Sequence, residues 1–477
     1  MNLFAKVAYN TIAQIISKVI ATALGLFSIA LITRYLGQTG FGQYTTVLTF
    51  LSFFAVLADL GLTLVTVQMI SCESANKNKI LNNLFTARFF SIILFLALAP
   101  IVLIFTPYDA IVKIGIIIAA LSFFFPALNQ ILIGLFQKEL RMDKASIAEV
   151  LGRVFLLFGY LLAVKLNWGL WGILGVNVFA SFINFAVLFY YSRDYVRIKF
   201  EFDKDVWREI FTRSWPLAIT IAFNLIYLRA DILILSLINT QAEVGIYGAA
   251  YRVVDVLVTV PFMFAGIVLP ILTFNWLKKN KEAFKIGFQK SFDFMVMLAI
   301  PFVVGAQFLA EPVMRLVAGE DFSVSGSVLK ILALATGFIY FGVIFSHAII
   351  ALEKQKSVIG AYVFVSLSAL VAYLIFIPKY SYIGAAWVTV YSEIAIMLFM
   401  IYYVWKFSGF LPGLKNFGKS LVASALMAGF IALIPSSFYY ANWGLIMTLL
   451  SAVVFYFGLQ ILIGGITKRD ISSLFNK

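Results

Sequence analysis

Residues 420–467 read SLVASALMAGFIALIPSSFYYANWGLIMTLLSAVVFYFGLQILIGGIT, and these 48 consecutive positions contain no Asp, Glu, Lys or Arg. A helix needs about 20 apolar residues to cross a bilayer, because lipid offers no partner to an exposed backbone N–H or C=O group. The stretch is long enough for two crossings, with a turn at Pro435 to Asn442. It predicts a chain that is embedded in a membrane.

The composition extends this prediction to the whole chain. It is 62% hydrophobic and 12% charged, whereas soluble domains are about 25% charged. Windows of about 20 residues predict fourteen transmembrane helices, and hence an all-α polytopic membrane protein. The predicted helices span residues 8–33, 43–67, 84–106, 112–136, 147–166, 168–192, 214–238, 245–272, 291–310, 327–352, 357–378, 381–405, 418–436 and 442–466.

The positions of the basic residues predict the orientation. If the N-terminus is cytoplasmic, 25 of the 36 Lys and Arg residues fall in inner loops and tails and six in outer loops. Basic residues are retained in cytoplasmic loops, so both termini are predicted to be cytoplasmic, in the cell inner (cytoplasmic) membrane. The formal net charge of +14 then reflects topology and contact with anionic membrane lipid, and no nucleic acid partner is expected.

Two short echoes predict an internal duplication. Gly42-Gln-Tyr44 and Gly245-Ile-Tyr247 are offset by 203 residues, and Trp168-Gly-Leu-Trp-Gly172 and Tyr380-Ser-Tyr-Ile-Gly384 by 212. Because six is even, two six-helix copies would be parallel repeats with a cavity between them, as in alternating-access transporters. The predicted domains are an N-lobe at 1–192 (helices one to six), a cytoplasmic linker at 193–213, a C-lobe at 214–407 (helices seven to twelve), and helices thirteen and fourteen with a cytoplasmic tail at 408–477.

Patterns for catalysis or nucleotide binding are weak. Gly413-Leu-Lys-Asn-Phe-Gly-Lys-Ser420 matches the sequence pattern of a P-loop. It joins two membrane helices, however, without the buried strand that the motif requires. The linker is too short for a nucleotide-binding domain. The single histidine, His347, has no cysteine or carboxylate near it in sequence. We therefore expect no enzymatic activity, catalytic residue, metal, cofactor or nucleotide.

Charged residues within the predicted helices are the candidate functional residues, because each costs about 2.5–3.5 kcal/mol at a helix centre unless it is paired or faces water. They are Lys18, Asp59, Arg88, Glu149, Arg153, Arg229, Asp231, Arg252, Asp255 and Glu393. Helical spacing lets Glu149 pair with Arg153 and Arg252 with Asp255. The alternative to a functional role is that these pairs are purely structural salt bridges.

Lys18 and Arg229 have no acid on the same helical face and occupy corresponding places in the two repeats. They are predicted to bind an anionic substrate, with Arg88, Arg153 and Arg252 in support, because guanidinium groups bind phosphate oxygens bidentately. The alternative is that acids of other helices, such as Asp59 or Glu393, neutralise these cations, or that Arg88 snorkels to the cytoplasmic face.

Three carboxylates have a different predicted use. Asp59, Asp231 and Glu393 lie within predicted helices, where a low dielectric shifts the pKa of a carboxylate and allows exchange of a proton or Na⁺ during transport. They are predicted to couple transport to one of these ions. Structural pairing is the alternative for each of them.

Two of these carboxylates, Asp59 and Asp231, belong to a series of short sequence features: Arg34-Tyr-Leu-Gly37 with Gly42-x-Tyr44, Asp59-Leu-Gly-Leu62, Asp231, Glu243-Val-Gly-Ile-Tyr-Gly-Ala-Ala250 and Gly384-Ala-Ala386. On them the chain resembles the polysaccharide transport family of the multidrug/oligosaccharidyl-lipid/polysaccharide (MOP) exporter superfamily. The resemblance implies two six-helix lobes in a V shape, similar to multidrug and toxin extrusion (MATE) transporters, with helices thirteen and fourteen accessory.

The resemblance also implies a function. A flippase of this family would move an undecaprenyl-pyrophosphate-linked oligosaccharide, the O-antigen or capsule repeat unit, from the inner to the outer leaflet. Its diphosphate would lie among Lys18, Arg88, Arg229 and Arg252, and polysaccharide polymerase or assembly proteins would be partners. Three alternatives stay open: a lipid II flippase, which also has fourteen helices and a cationic cavity, a multidrug extrusion antiporter, and a non-transporting membrane scaffold of the assembly machinery.

Overall fold

The computed structural model describes residues 3–70 and 76–465, and within those ranges it contains helices and no β-strand. The first half of the chain forms α1 (Leu3–Asp59), α2 (Leu62–Ile70), α3 (Lys77–Leu103), α4 (Ala110–Lys138), α5 (Met142–Lys165), α6 (Gly169–Ser192) and α7 (Lys204–Ile238). The second half forms α8 (Gln241–Leu277), α9 (Lys281–Ala318), α10 (Ser325–Ala351), α11 (Ile359–Ser408), α12 (Lys415–Leu433), α13 (Ser436–Tyr439) and α14 (Asn442–Leu462). The predicted cytoplasmic tail after residue 465 lies outside the described residues.

Eleven helices in the described ranges are long and apolar enough to cross a membrane, so the chain is a multi-pass membrane protein. Two of these stretches, Ile12–Asp59 and Gln355–Ser408, contain 48 and 54 residues, which is more than twice the length that one crossing needs, about 20 residues. Each includes a residue with a non-helical backbone, Gly37 (φ 64°, ψ −175°) and Ser381 (φ 50°, ψ −137°). Both lie at a predicted boundary between two spans. The predicted all-α membrane fold is confirmed.

The helices form two compact units, Met1–Gly245 and Ile246–Lys477. In the first unit, α1 packs against α3, α4, α5, α6 and α7. In the second unit, α10 packs against α9 and α11, while α12 and α14 pack with α9. Helix α7, which the sequence analysis assigned to the C-lobe, packs with helices of the first unit. The lobe boundaries were predicted from the duplication, and they stay a prediction.

The segment before α7 is held in an extended form by one face of α3. The backbone N–H groups of Lys199, Glu201 and Asp203 donate to the side chains of Asn82, Thr86 and Asn83, at 3.1, 3.0 and 2.7 Å respectively. Alternate residues of an extended chain point their N–H groups to the same side, which is why every second residue is bonded. The polar first turns of α3 thus immobilise the predicted linker.

Asp203 then fixes the start of α7. Its Oδ1 accepts hydrogen bonds from the N–H groups of Asp205 and Val206, both at 3.1 Å, which caps the helix. Its other oxygen lies 2.6 Å from Nζ of Lys79. The hydrogen bond from Lys79 is the main cause that holds the pKa of Asp203 below its usual value. The carboxylate therefore stays ionised and joins α7 to α3.

The other end of α7 is also attached within the first unit. The hydroxyl of Ser236 lies 2.7 Å from that of Tyr108, in the α3–α4 loop. Burial raises the pKa of Tyr108 to about 12, so its phenol stays protonated near neutral pH. The start of α7 is therefore bonded to α3, and its end to the loop that follows α3.

The two Gly-x-Tyr echoes meet in the structure. A β-carbon at Gly42 would overlap the main-chain carbonyl oxygen of Gln241, and one at Gly245 would overlap that of Gln38. Gly42 and Gly245 are offset by 203 residues, and so are Gln38 and Gln241, so the contact is reciprocal. The side chain of Thr46 adds a hydrogen bond of 2.7 Å to Oε1 of Gln241. Only glycine permits this approach of two backbones.

We expect Gly245→Ala to lower the thermal stability of the purified protein in detergent. The added β-carbon meets main-chain atoms, which cannot move aside as a side chain can, and overpacking of this kind costs about 1–3 kcal/mol. Gly266→Ala in the same helix is the control, because a β-carbon there meets no atom within 4 Å. Equal melting temperatures for both variants would contradict the close approach.

Candidate functional site

A buried ion pair lies where α1 ends. Helix α1 stops at Asp59, and the next two residues, Leu60 and Gly61, have φ values of 46° and 77°. Nη1 of Arg88, on α3, lies 2.9 Å from Oδ1 of Asp59 and donates to the carbonyl oxygen of Ala58, also at 2.9 Å. The Asp59-Leu-Gly-Leu motif is thus a helix break that an arginine holds.

Further hydrogen bonds enclose this pair. Nε of Arg88 donates to the carbonyl oxygen of Ala127 at 3.0 Å, and Thr63 donates to Oδ1 of Asp59 at 2.5 Å. Arg88 is 3% exposed. A helix end leaves carbonyl groups without partners, and lipid supplies none. Arg88 therefore donates to a carbonyl group at the end of α1 and also neutralises Asp59. The predicted substrate-binding role of Arg88 and the predicted ion-coupling role of Asp59 stay predictions.

A second ion pair in the first unit is much looser. Nζ of Lys18, on α1, lies 4.0 Å from Oε1 of Glu149, on α5, and the two side chains are 47% and 37% exposed. In the described part of the chain, Glu149 accepts no hydrogen bond. Beside this pair, the hydroxyls of Ser17 and Ser146 lie 3.0 Å apart and are buried. The bond between the two serines joins α1 to α5, and the ion pair beside it is exposed.

Arg153 lies one helical turn after Glu149 on α5, and its side chain is exposed. Their spacing predicts that these two residues pair, but Glu149 lies next to Lys18 instead. Spacing within one helix could not reveal a partner on another helix. The structure thus brings Lys18 to the α5 face that carries Glu149 and Arg153.

The remaining candidates are more enclosed. Arg229, on α7, is half-buried, and Asp231 is 1% exposed and accepts a hydrogen bond from the N–H of Ile232 at 2.7 Å. In the second unit, Arg252 lies 3.8 Å from Asp255, so the predicted local pair is confirmed. Glu393, on α11, is 7% exposed.

Sequence reasoning missed two tyrosine networks. In the first unit, the hydroxyl of Tyr44 lies 3.1 Å from that of Tyr160, which donates to Asn177 at 2.8 Å. In the second unit, the hydroxyls of Tyr247 and Tyr373 lie 3.3 and 3.1 Å from that of Thr389. The corresponding members are offset by 203, 213 and 212 residues. The Gly-x-Tyr echo contained the first member of each network but gave no sign of its partners.

The P-loop-like stretch has structural contacts. The backbone of Gly413 exchanges hydrogen bonds of 2.6 and 3.1 Å with the amide of Gln289. Lys419 donates to the carbonyl of Gly464 at 2.5 Å, and the buried Ser420 accepts from Gln460 at 2.9 Å. Gly413, Lys419 and Ser420 therefore connect the start of α12 to α9 and to the end of α14.

A family model described as "Polysaccharide biosynthesis protein" matches residues 6–276. The capsular polysaccharide biosynthesis protein CapF of Staphylococcus aureus is 24% identical over 299 residues, which are 61% of this chain and 74% of that protein. A Haloferax volcanii protein named "Probable low-salt glycan biosynthesis flippase Agl15" is 22% identical over 450 residues, 88% of each chain.

Two solved structures share the fold. The lipid II flippase MurJ, in an inward closed conformation, superimposes with a TM-score of 0.79 at 18% identity, over 95% of this chain and 98% of that chain. An inward-facing MATE family transporter of the MOP superfamily gives a TM-score of 0.68 at 14% identity, over 84% and 99%. At these identities the likeness concerns the fold alone.

We expect Arg88→Ala to be strongly destabilising, because it leaves the Asp59 carboxylate and the Ala58 carbonyl buried without their charged donor. Removal of one partner of a buried pair costs about 3–5 kcal/mol. Thermal unfolding in detergent measures the effect, and Asp59→Asn should reduce the cost of the Arg88 substitution. The exposed Arg153→Ala is the control, with an expected change within about 0.5 kcal/mol. A stability of Arg88→Ala equal to that control would refute the structural role.

Proposed function

Because the chain belongs to the polysaccharide biosynthesis protein family, we propose that it is a flippase of lipid-linked polysaccharide precursors. The substrate is an undecaprenyl-pyrophosphate-linked oligosaccharide, an O-antigen, capsule or other exopolysaccharide repeat unit. It moves from the inner to the outer leaflet by alternating access. The names of CapF and Agl15, one for capsule biosynthesis and one for a glycan flippase, support this substrate class. Polymerase or other assembly proteins of the polysaccharide pathway are the expected partners, and no enzymatic step is expected.

The observation that carries the proposal is a pair of exposed cations inside membrane helices of the first unit. Lys18 and Arg153 lie within apolar spans and are exposed. A charge at this depth is unfavourable against lipid, so we infer that both face water. A diphosphate head group is the anion that such a site would bind, while the polyprenyl tail stays in lipid. Arg229 and Arg252 are proposed as further contacts.

We propose fourteen transmembrane helices in two parallel repeats of six, with α12 and α14 accessory. The described ranges contain eleven apolar helices long enough to cross. Division of α1 at Gly37 and of α11 at Ser381 adds two, and α7 adds one, which gives fourteen. The two tyrosine networks and the reciprocal Gly42–Gly245 contact support the duplication, because they use corresponding residues. Both termini are proposed to be cytoplasmic, in the inner membrane.

We propose that a buried carboxylate couples transport to an ion. Asp231 and Glu393 are the better candidates for exchange of H⁺ or Na⁺, since both are buried carboxylates within apolar helices. Asp59 is already bonded by Arg88 at 2.9 Å and by Thr63 at 2.5 Å, so it is less available for exchange of an ion. No organic cofactor is proposed.

A reconstituted translocation assay tests the proposal. Purified wild-type protein in liposomes is offered undecaprenyl-pyrophosphate oligosaccharide, lipid II or a cationic drug in parallel. We expect movement of the oligosaccharide, and a loss of at least about 10-fold in Lys18→Ala/Arg153→Ala, because a hydrogen bond to a charged group contributes about 1.5–3 kcal/mol. Lys165→Ala, an exposed cation at the end of α5, is the matched control with unchanged transport.

Each other outcome selects an alternative. Transport of lipid II alone would indicate a lipid II flippase, and transport of the drug alone would indicate a multidrug extruder. Absence of any transport by correctly folded protein would favour a scaffold of the assembly machinery. Transport of the oligosaccharide that the double substitution does not change would retain the function and reject the site.

The proposed topology predicts which loops a membrane-impermeant thiol reagent labels. Cys72 is the single cysteine and lies outside the described residues. For the experiment it is first replaced by serine, so that the reagent can react only with an introduced cysteine. We expect Glu320→Cys, at the end of α9, to be labelled on intact cells, and Lys281→Cys, at the start of α9, only after permeabilisation. The opposite pattern would place the termini outside.

A further inference from the structure

Two ion pairs of the first unit, Asp59 with Arg88 and Glu149 with Lys18, differ in how firmly they hold their acids. Asp59 is bonded by Arg88 at 2.9 Å and by Thr63 at 2.5 Å. Glu149 lies 4.0 Å from Lys18, beyond hydrogen-bonding distance, and its side chain is 37% exposed. A long, exposed pair contributes little to stability, about 0–1 kcal/mol. Glu149 can therefore leave Lys18 at small cost.

The position of Glu149 matters because of the cations on either side of it. Lys18 approaches it from α1, and Arg153 follows four residues later on α5, which places both residues on one face of that helix. Glu149 lies seven residues after the start of α5, about 10 Å along the helix axis. The cluster is therefore within the span and carries two positive charges and one negative charge.

We propose that Glu149 is an internal competitor of the substrate's diphosphate. In the empty protein its carboxylate neutralises Lys18, and an arriving diphosphate displaces it and binds Lys18 and Arg153. When the diphosphate leaves, Glu149 returns to Lys18. This inference rests on the proposed function and adds a residue that governs release of the anion.

The competition has a physical rationale. A site with two cations and no acid binds a diphosphate tightly but releases it slowly, since both cations attract the anion and neither is compensated when it leaves. A carboxylate that replaces the departing phosphate compensates the cation that it approaches. The serine pair Ser17–Ser146 keeps α1 and α5 in register meanwhile, so the exchange needs a movement of side chains alone.

The test is the binding of inorganic pyrophosphate to the purified full-length protein, measured by calorimetry, together with transport kinetics in liposomes. We expect Glu149→Gln to bind pyrophosphate about 5-fold more tightly than wild type, which corresponds to loss of an exposed ion pair of about 1 kcal/mol. In transport, both KM and kcat should fall, because binding improves and release slows. Glu149→Asp keeps the charge and should restore values near those of wild type.

Asp143→Asn is the matched control, because Asp143 is also an ion-paired acid on α5, bonded to Arg141 at 3.0 Å. It should leave pyrophosphate affinity unchanged. Adding Lys18→Ala to Glu149→Gln should remove the gain in affinity. A purely structural Glu149 would instead give a lower melting temperature with unchanged or weaker affinity, and that result would overturn the inference.

The two measurements separate this inference from the proposed function. Transport of the lipid-linked oligosaccharide with no effect of Glu149→Gln on KM or affinity would retain the function and reject the competitor. Tighter pyrophosphate binding by Glu149→Gln without oligosaccharide transport by wild type would retain the competitor and reject the substrate.

Discussion

A lipid bilayer offers no hydrogen bond to a backbone group and no hydration to a charge, and the polar contacts of this molecule follow from that constraint. At the end of α1 and at the start of α7, side chains bond main-chain groups that the helix leaves without partners. Arg88 bonds the carbonyl of Ala58 at the end of α1, and Asp203 caps the amide groups at the start of α7. The structural uses of charge are thus clearest at helix ends.

The same constraint explains what could be predicted from the sequence. Apolar length alone was sufficient to predict an all-helical membrane fold, and the predicted boundaries coincide with the bends at Gly37 and Ser381. The recognised motifs led to the polysaccharide biosynthesis family, which the match over residues 6–276 confirms. These features depend on the order of residues along one helix or in one short motif.

The partners of the charged residues depend on neighbouring helices, and the sequence does not contain that information in readable form. Arg252 was correctly paired with Asp255 because the two are three residues apart on one helix. Glu149 was matched with Arg153 by the same reasoning, but a lysine on another helix is its partner. The tyrosine networks were not predicted for this reason as well, since each includes a bond between helices that are distant in the chain.

The reciprocal contact of Gly42 and Gly245 has a consequence for how such a chain can evolve. A mutation that enlarges a side chain is often tolerated after a second mutation makes its neighbour smaller. Here the neighbour of each glycine is a main-chain carbonyl group, and no codon change can remove a carbonyl group. Neither glycine can therefore be replaced with the help of a change in its neighbour. The rest of the sequence is free to diverge around two positions that have no route of compensation.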